Sequence, residues 1–366
     1  MEENTKRCPF CGNDDLKVTR EMMRPWGFAP RNAESISDVQ LSEEYTAVQQ
    51  PLYSTLPDAE EMKLLPDCKN IRIASRTNQR IIMLNKGSED KGFMVCKDCG
   101  AAMPGDDISV LCNINRPYKL RYAQRKCNHS NSFNVNLGYD FITDMLVLEF
   151  TIDDKIIDAK RNDNPWLNRA AQSLAEALRL TASKKLDVEF TELVTGYRLR
   201  TGSEASYIDL YLYDSLSSGA GYAVSVADVI SELLVDIKVL LSSCDCGSAC
   251  SKCLKHYRNQ YIHGILDRFA ALQLLEWGVN GVKASPIKLE TQISMFMPLV
   301  NILEQSGCEI IVNDEIIAIG RRSKKKVVIY PAMWVEPNAT DTVFVSDAFI
   351  KYAKPYAVQK ILDSIK

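Results

Sequence analysis

No stretch of this 366-residue chain stays apolar for the ~20 residues that a bilayer-spanning helix needs, because charges interrupt every long run. The opening segment 1–7 is polar and leads straight into a cysteine pair, so it lacks a signal-peptide pattern. A cytoplasmic location with no membrane partner is the resulting expectation. Internal repeats and low-complexity tracts are absent. So is a phosphate loop of the form G-x4-G-K-[ST], together with the acidic box that accompanies it in ATPases, which leaves ATP hydrolysis by these residues unsupported. Excess positive charge is missing too: 44 Lys and Arg face 47 Asp and Glu, for a net charge of −3. Any contact with nucleic acid must therefore come from local basic patches.

Cysteine, in contrast, is plentiful. Twelve are present, seven of them before residue 136. In a reducing compartment, clustered thiols read as metal ligands rather than disulfides. The densest cluster is C-x-C-x3-C-x2-C, formed by Cys244, Cys246, Cys250 and Cys253. Four thiolates at this spacing suit tetrahedral Zn²⁺, and Gly247 lets the backbone fold tightly between them. An iron–sulfur cluster is the rival, since it also takes four cysteines. The second signal is a pair of doublets, CPFCG at Cys8 and Cys11 and CKDCG at Cys96 and Cys99. Each is followed by glycine, as in the two turns of a zinc ribbon, which predicts one further zinc shared by these four thiolates. Two zinc ions are therefore expected, each held by four cysteines. Cys112, Cys127 and His129 could contribute to a third site, whereas Cys68 and Cys308 read as small buried hydrophobes. A closed four-thiolate site leaves no coordination position for water, so it supplies folding energy rather than Lewis-acid chemistry.

The pattern of apolar residues implies an α/β (α+β) fold in three regions. Residues 1–135 form a zinc-ribbon-like N-terminal region with a long insertion and few clear elements, among them strands at 80–84 and 93–95. Residues 136–282 read as a central mixed-sheet domain that carries the four-cysteine knuckle. It has strands at 144–152, 188–199 and 207–213, and helices at 165–183, 226–241 and 266–277, with Asn164 capping the first and Gly278 ending the last. Residues 283–366 look like a small C-terminal α/β appendage. It has a helix at 289–305, strands at 309–312, 316–319 and 326–329, and a closing helix at 348–366 broken at Pro355.

Several stretches are candidate contacts for nucleic acid. Basic residues cluster at Arg116, Lys119, Arg121, Arg125 and Lys126, with Tyr118 and Tyr122 interleaved, and again at Arg321, Arg322, Lys324, Lys325 and Lys326; a solvated face is the plainer reading of each. The turn containing Ser218, Gly219 and Gly221 lies between a strand and a helix N-terminus, where backbone N–H groups and the helix dipole can bind phosphate. A tight turn fixed by Asp214 is its alternative. Arg258 and Asn259, with Tyr257, Gln260 and His263, follow the knuckle, where they either contact phosphates or hold the knuckle in place. Arg24, Trp26 and Phe28 form an aromatic–basic cluster suited to stacking on bases or to core packing.

The run LYDSLSSGAGY (212–222), the helix after it and CDCGSACSKCLKHYRNQYIHGILDRFAALQLL (244–275) resemble the C-terminal zinc-binding domain of MrfA-type bacterial helicases. The same domain occurs in a helicase-associated subunit of the DISARM phage-defence system. The segment LGYDFITDMLVLEF (137–150) and the GF-x2-C-x2-CG element (92–100) look like the region that precedes it. The resemblance covers roughly residues 80–280 and is sharpest at the knuckle and its tail. Where the family commonly has Gly-Gly-Ala-Gly, this chain has Ser218-Gly219-Ala220-Gly221. The resemblance implies partnership with a superfamily 2 helicase and with DNA. The leading expectation is a non-catalytic, DNA-contacting scaffold in antiphage defence or DNA repair. A nuclease with its site in the C-terminal region is the alternative, pointed to by Glu290, Asp314, Glu315 and the lysines at 324–326. That alternative lacks a carboxylate two residues before a strand lysine, and the chain has no H-x-K. A pure protein-interaction adaptor is the third reading.

Overall fold

The computed structural model describes residues 20–25, 50–53, 62–87, 90–111, 127–161, 164–202, 205–321 and 323–365. The chain divides into two compact units. The first comprises residues 1–56, 78–143 and 216–219; the second comprises 57–77, 144–215 and 220–366. The architecture is mixed α/β, as expected from the sequence, and no helix among the described residues is long and apolar enough to cross a membrane.

In chain order the first strands are β1 (Met22–Met23), β2 (Gln50–Tyr53), β3 (Lys63–Leu64), β4 (Ile71–Asn85), β5 (Phe93–Cys96), β6 (Ala102–Pro104) and β7 (Ser132–Ile152). Within the first unit, β2 runs antiparallel to the end of β4, and β5 lies between β6 and the start of β7. The strand expected at 144–152 is thus the second half of a 21-residue strand, and the one expected at 80–84 is the end of a 15-residue strand. Polar positions such as Asn134, Asn136 and Asp140 hide this length from a reading based on apolar runs.

The second unit is organised around α1 (Pro165–Lys185). Its start is fixed as expected: the Asn164 side chain accepts from Trp166 N, and Pro165 occupies the first turn, where its missing N–H costs nothing. Leu167, Ala170, Ala171, Leu174, Leu178 and Ala182 recur at helical spacing and are all buried. They pack on one face of the sheet formed by β7, β8 (Leu193–Thr201) and β9 (Ser206–Asp214), which contributes Leu146, Leu148, Phe150 and Ile152 from β7 and Ile208, Leu210 and Leu212 from β9. Full burial of each large aliphatic side chain contributes about 1.5–3 kcal/mol.

The helix expected at 226–241 is two helices, α2 (Tyr222–Asp228) and α3 (Ile230–Ser242), separated at Val229 (φ −112°, ψ 10°). The next helix, α4 (Arg268–Asn280), runs past Gly278 and ends at Gly281, which has φ +65°. Gly278 serves close packing instead: a Cβ there would sit 2.4 Å from Phe150 Cε1, so only glycine lets α4 approach the sheet this closely. The C-terminal part has a second core. It comprises α5 (Leu289–Gln305), the strands β10 (Glu309–Val312), β11 (Ile316–Ile319), β12 (Lys324–Tyr330) and β13 (Thr342–Ser346), and the helices α6 (Asp347–Tyr352) and α7 (Lys354–Ile365). The sheet order is β10-β11-β12-β13, with only the last pair parallel. The break in the final helix falls at Ala353, leaving Pro355 in the first turn of α7.

Candidate metal centres and the turn beside them

α3 delivers the chain directly into the knuckle. The sulfurs of Cys244 and Cys250 lie 3.5 Å apart, those of Cys246 and Cys253 3.7 Å, and those of Cys250 and Cys253 3.9 Å. All four are within 4.8 Å of one another. A tetrahedron with Zn–S bonds of about 2.3 Å has S···S edges of about 3.8 Å, so the thiols are spaced as zinc requires. The backbone supports negative sulfur: Cys250 N donates to Cys253 Sγ (3.2 Å) and Lys252 N to Cys250 Sγ (3.4 Å). The Lys252 N–H, helped by the Cys244 thiol, lowers the pKa of Cys250 to about 7.

A second set of side chains holds the knuckle in place. Arg268, buried at the start of α4, donates from Nε to the Cys246 carbonyl (3.0 Å) and from a terminal nitrogen to the Leu241 carbonyl (2.9 Å), while its backbone N donates to Ser248 O (2.8 Å). The preceding Asp267 caps α4 by accepting from Phe269 N and Ala270 N, and its other oxygen accepts from Tyr352 and Lys351 of α6. Beyond the last cysteine, His256 Nδ1 accepts from Arg258 N, which leaves the proton on Nε2, 3.5 Å from Glu176 Oε2 on α1. Burial keeps His256 below its usual pKa despite that carboxylate. Asn259 is fully buried: its amide donates to Leu254 O and Glu176, and its oxygen accepts from His256 N and His263. Asn259 therefore has no surface to offer a phosphate and serves as internal support. The side chains of Tyr257 and Tyr261 project outward, with 85% and 65% exposure, and Arg258 and Gln260 are exposed beside them.

The glycine-rich turn has positive φ at Ser218 (84°), Gly219 (74°) and Gly221 (81°). The N–H groups of residues 218–223 are paired within the protein. Ser218 N donates to Ile142 O and Gly219 N to Leu216 O. Ala220 N, Tyr222 N and Ala223 N donate to the buried Asp214 carboxylate, and Gly221 N donates to Asp144. At Ser218, Gly219 and Gly221 each backbone N–H thus has an acceptor within the protein. Four of these donors meet carboxylates of Asp214 and Asp144. Asp214 holds the turn by accepting from three of its backbone N–H groups.

In the first unit, Cys96 and Cys99 meet Cys127 and His129, whose ligand atoms are likewise within 4.8 Å of one another. Cys8 and Cys11, expected as their partners, lie outside the described residues, as do Cys112, Lys119, Arg121, Arg322, Trp26 and Phe28. Arg321 and Lys324 are exposed near the start of β12; Lys326 pairs with Glu315 at 2.7 Å. Among the described residues, the groupings of three or more ligating side chains are the two cysteine-rich quartets, so the acids considered for a nuclease are not gathered. Cys68 and Cys308 are buried, as expected of small hydrophobes. Glu176 and Arg268 support the knuckle through contacts that the sequence does not report, although Arg268 belongs to the tail that carries the resemblance. The signal for Glu176 is a carboxylate set between Ala175 and Ala177, next in helical spacing to the apolar face of α1.

Fold and site together define a mixed α/β chain that carries a four-cysteine zinc-binding knuckle. Residues 174–254 match the family model described as the MrfA Zn-binding domain, the domain whose resemblance the knuckle carries. The chain is 31% identical over 369 residues to Druantia protein DruE of Escherichia coli (strain UMEA 4076-1), an alignment covering 94% of this chain and 19% of that protein. The chain thus spans about a fifth of the length of that relative. A crystal structure described as DUF1998 helicase MrfA bound to DNA is similar over 63% of this chain and 25% of its own, with 14% identity and a TM-score of 0.36.

Proposed function

We propose that this chain is a non-catalytic, zinc-built part of a superfamily 2 helicase system, in which it contacts DNA in bacterial antiphage defence or DNA repair. The observation that carries the reading is the surface formed just after the knuckle. From residue 246 to 266 there is no Asp or Glu, although acids outnumber bases in the chain as a whole. This stretch holds Lys252, Lys255 and Arg258, and it exposes Tyr257 and Tyr261. Cations with exposed aromatic faces suit a nucleic-acid strand, because phosphates meet the charges and bases stack on the rings. The match to the MrfA Zn-binding domain and the identity with Druantia protein DruE support the helicase and defence context.

The test is binding of single- and double-stranded oligonucleotides by the full chain across a salt series. Affinity falls linearly with salt on log–log axes, and Arg258→Ala reduces the slope by about 1. Tyr257→Ala weakens single-strand binding by about 1–3 kcal/mol. Negligible binding at low salt overturns the reading in favour of a protein-interaction adaptor.

A further inference from the structure

We propose that Cys96, Cys99, Cys127 and His129 form a second zinc site of three thiolates and one imidazole, complete without Cys8 and Cys11. This goes beyond the function above, which rests on the knuckle and its tail and stands or falls separately.

The strand ladder makes the site. β5 pairs antiparallel with the start of β7 so that Cys96 faces Ser132. The pairing continues past the strands, where Lys97 N donates to Asn131 O (2.9 Å) and Asn131 Nδ2 to Asp98 Oδ1 (3.1 Å). The turn after β5 is thereby set against the segment that leads into β7, and Cys127 and His129 are brought to the two thiols of the turn. Gly100, at φ +72°, closes the turn by donating to the Cys96 carbonyl. His129 adopts φ +56°, in the left-handed region that histidine, asparagine and aspartate enter more readily than other non-glycine residues, and its carbonyl accepts from Ser132 Oγ.

The spacing fits the ion. Cys96 Sγ and Cys127 Sγ are 3.7 Å apart, and Cys99 Sγ is 3.5 Å from His129 Nδ1. Zn–S bonds of about 2.3 Å and Zn–N bonds of about 2.0–2.1 Å give tetrahedral edges of about 3.8 Å for two sulfurs and about 3.5 Å for sulfur and nitrogen. Backbone N–H groups again favour thiolate, with Ala101 N donating to Cys99 Sγ (3.5 Å) and His129 N to Cys127 Sγ (3.4 Å). Cys96 and Cys99 are buried with Met94, Ala101 and Leu111, and His129 is buried as well. Three thiols crowded onto an imidazole in an apolar pocket is a poor way to fill space, since a buried polar ring needs a polar partner. It is a good way to hold a cation. Four ligands complete the tetrahedron, so neither Cys8 nor Cys11 has a vacant position here. The site would tie the returning strand β7 to the β5 turn and supply folding energy to that unit.

X-ray absorption at the zinc edge, on the full chain as purified, tests this without mutation. Two ions held by this quartet and the knuckle together have seven sulfur ligands and one imidazole nitrogen, counted from the two quartets, instead of eight sulfurs. Metal analysis of variants completes the test. The double variant Cys8→Ser with Cys11→Ser keeps both zinc equivalents, His129→Ala loses one, and His129→Cys keeps both while the nitrogen signal disappears. An all-sulfur environment in the parent chain, or loss of one equivalent in the Cys8/Cys11 double variant, overturns the proposal. So does retention of both equivalents by His129→Ala.

Discussion

The guanidinium of Arg268 hydrogen-bonds the backbone carbonyl of Cys246, 22 residues earlier, at 3.0 Å. A residue that opens α4 thus fixes the loop between two thiols, while its second bond, to Leu241 O, fixes the end of α3. Thiols alone do not set the geometry of a metal site; the groups that orient their backbone do.

Arg268→Met is expected to lower the affinity of the knuckle for zinc about 10- to 100-fold, the range typical for loss of an outer-shell partner. It also leaves two carbonyls without their donor, at about 1–3 kcal/mol each. Arg268→Lys keeps the charge but not the planar fork and recovers only part of the loss. Competition with a chelator, followed by metal release, reads the effect. Unchanged affinity in Arg268→Met contradicts the role given to this side chain.

Asp214 accepts from three backbone N–H groups at the turn into α2. Asp214→Ala strands those donors in a buried turn and is expected to destabilise the fold by about 3 kcal/mol or more. Asp214→Asn retains one acceptor oxygen and loses less. Denaturant midpoints at matched slope provide the comparison, and equal stability of all three proteins refutes the assignment.

Asp347 supplies a pH prediction. Burial raises its pKa, against the opposing effect of the N–H groups of Ala332 and Ala348 that donate to it; nearby Asp267 raises it further. Because the folded value lies above the unfolded one, the folded state binds the proton more tightly. Stability from this group is therefore fully present below the ordinary aspartate range and is lost as pH rises through the elevated folded value. Asp347→Asn keeps an oxygen for both N–H groups and carries no charge. It is expected to be at least as stable as the parent at neutral pH, with a flatter stability profile between the ordinary and the raised value. Thermal unfolding across mildly acidic to neutral pH measures this; a variant less stable at neutral pH contradicts it.

How far the sequence could be read depended on whether the causes were local. α5 and the strands β10 and β11 match their expected bounds, since apolar periodicity and the turn residues Asn313 and Asp314 are written in consecutive positions. The knuckle was equally legible, because its four ligands lie within ten residues. Cys127 and His129 were not assigned to Cys96 and Cys99, since their meeting depends on the register of β5 against β7, which no spacing reports. The hydrogen bonding of the 218–221 turn is hidden from the sequence for a similar reason. Asp144 accepts from Gly221 N from 77 residues away, a pairing that the turn's own sequence does not report. Gly278 looked like a helix stop because glycine usually is one; here contact with Phe150 decides its role.

Zinc bound by the thiolates of Cys244, Cys246, Cys250 and Cys253 is expected to hold the end of α3 and the start of α4 together. Zinc content and thermal unfolding of Cys250→Ser, beside the parent chain, test this most directly. The expected result is loss of one zinc equivalent together with a clear fall in Tm. A variant with full zinc content and unchanged Tm would contradict it.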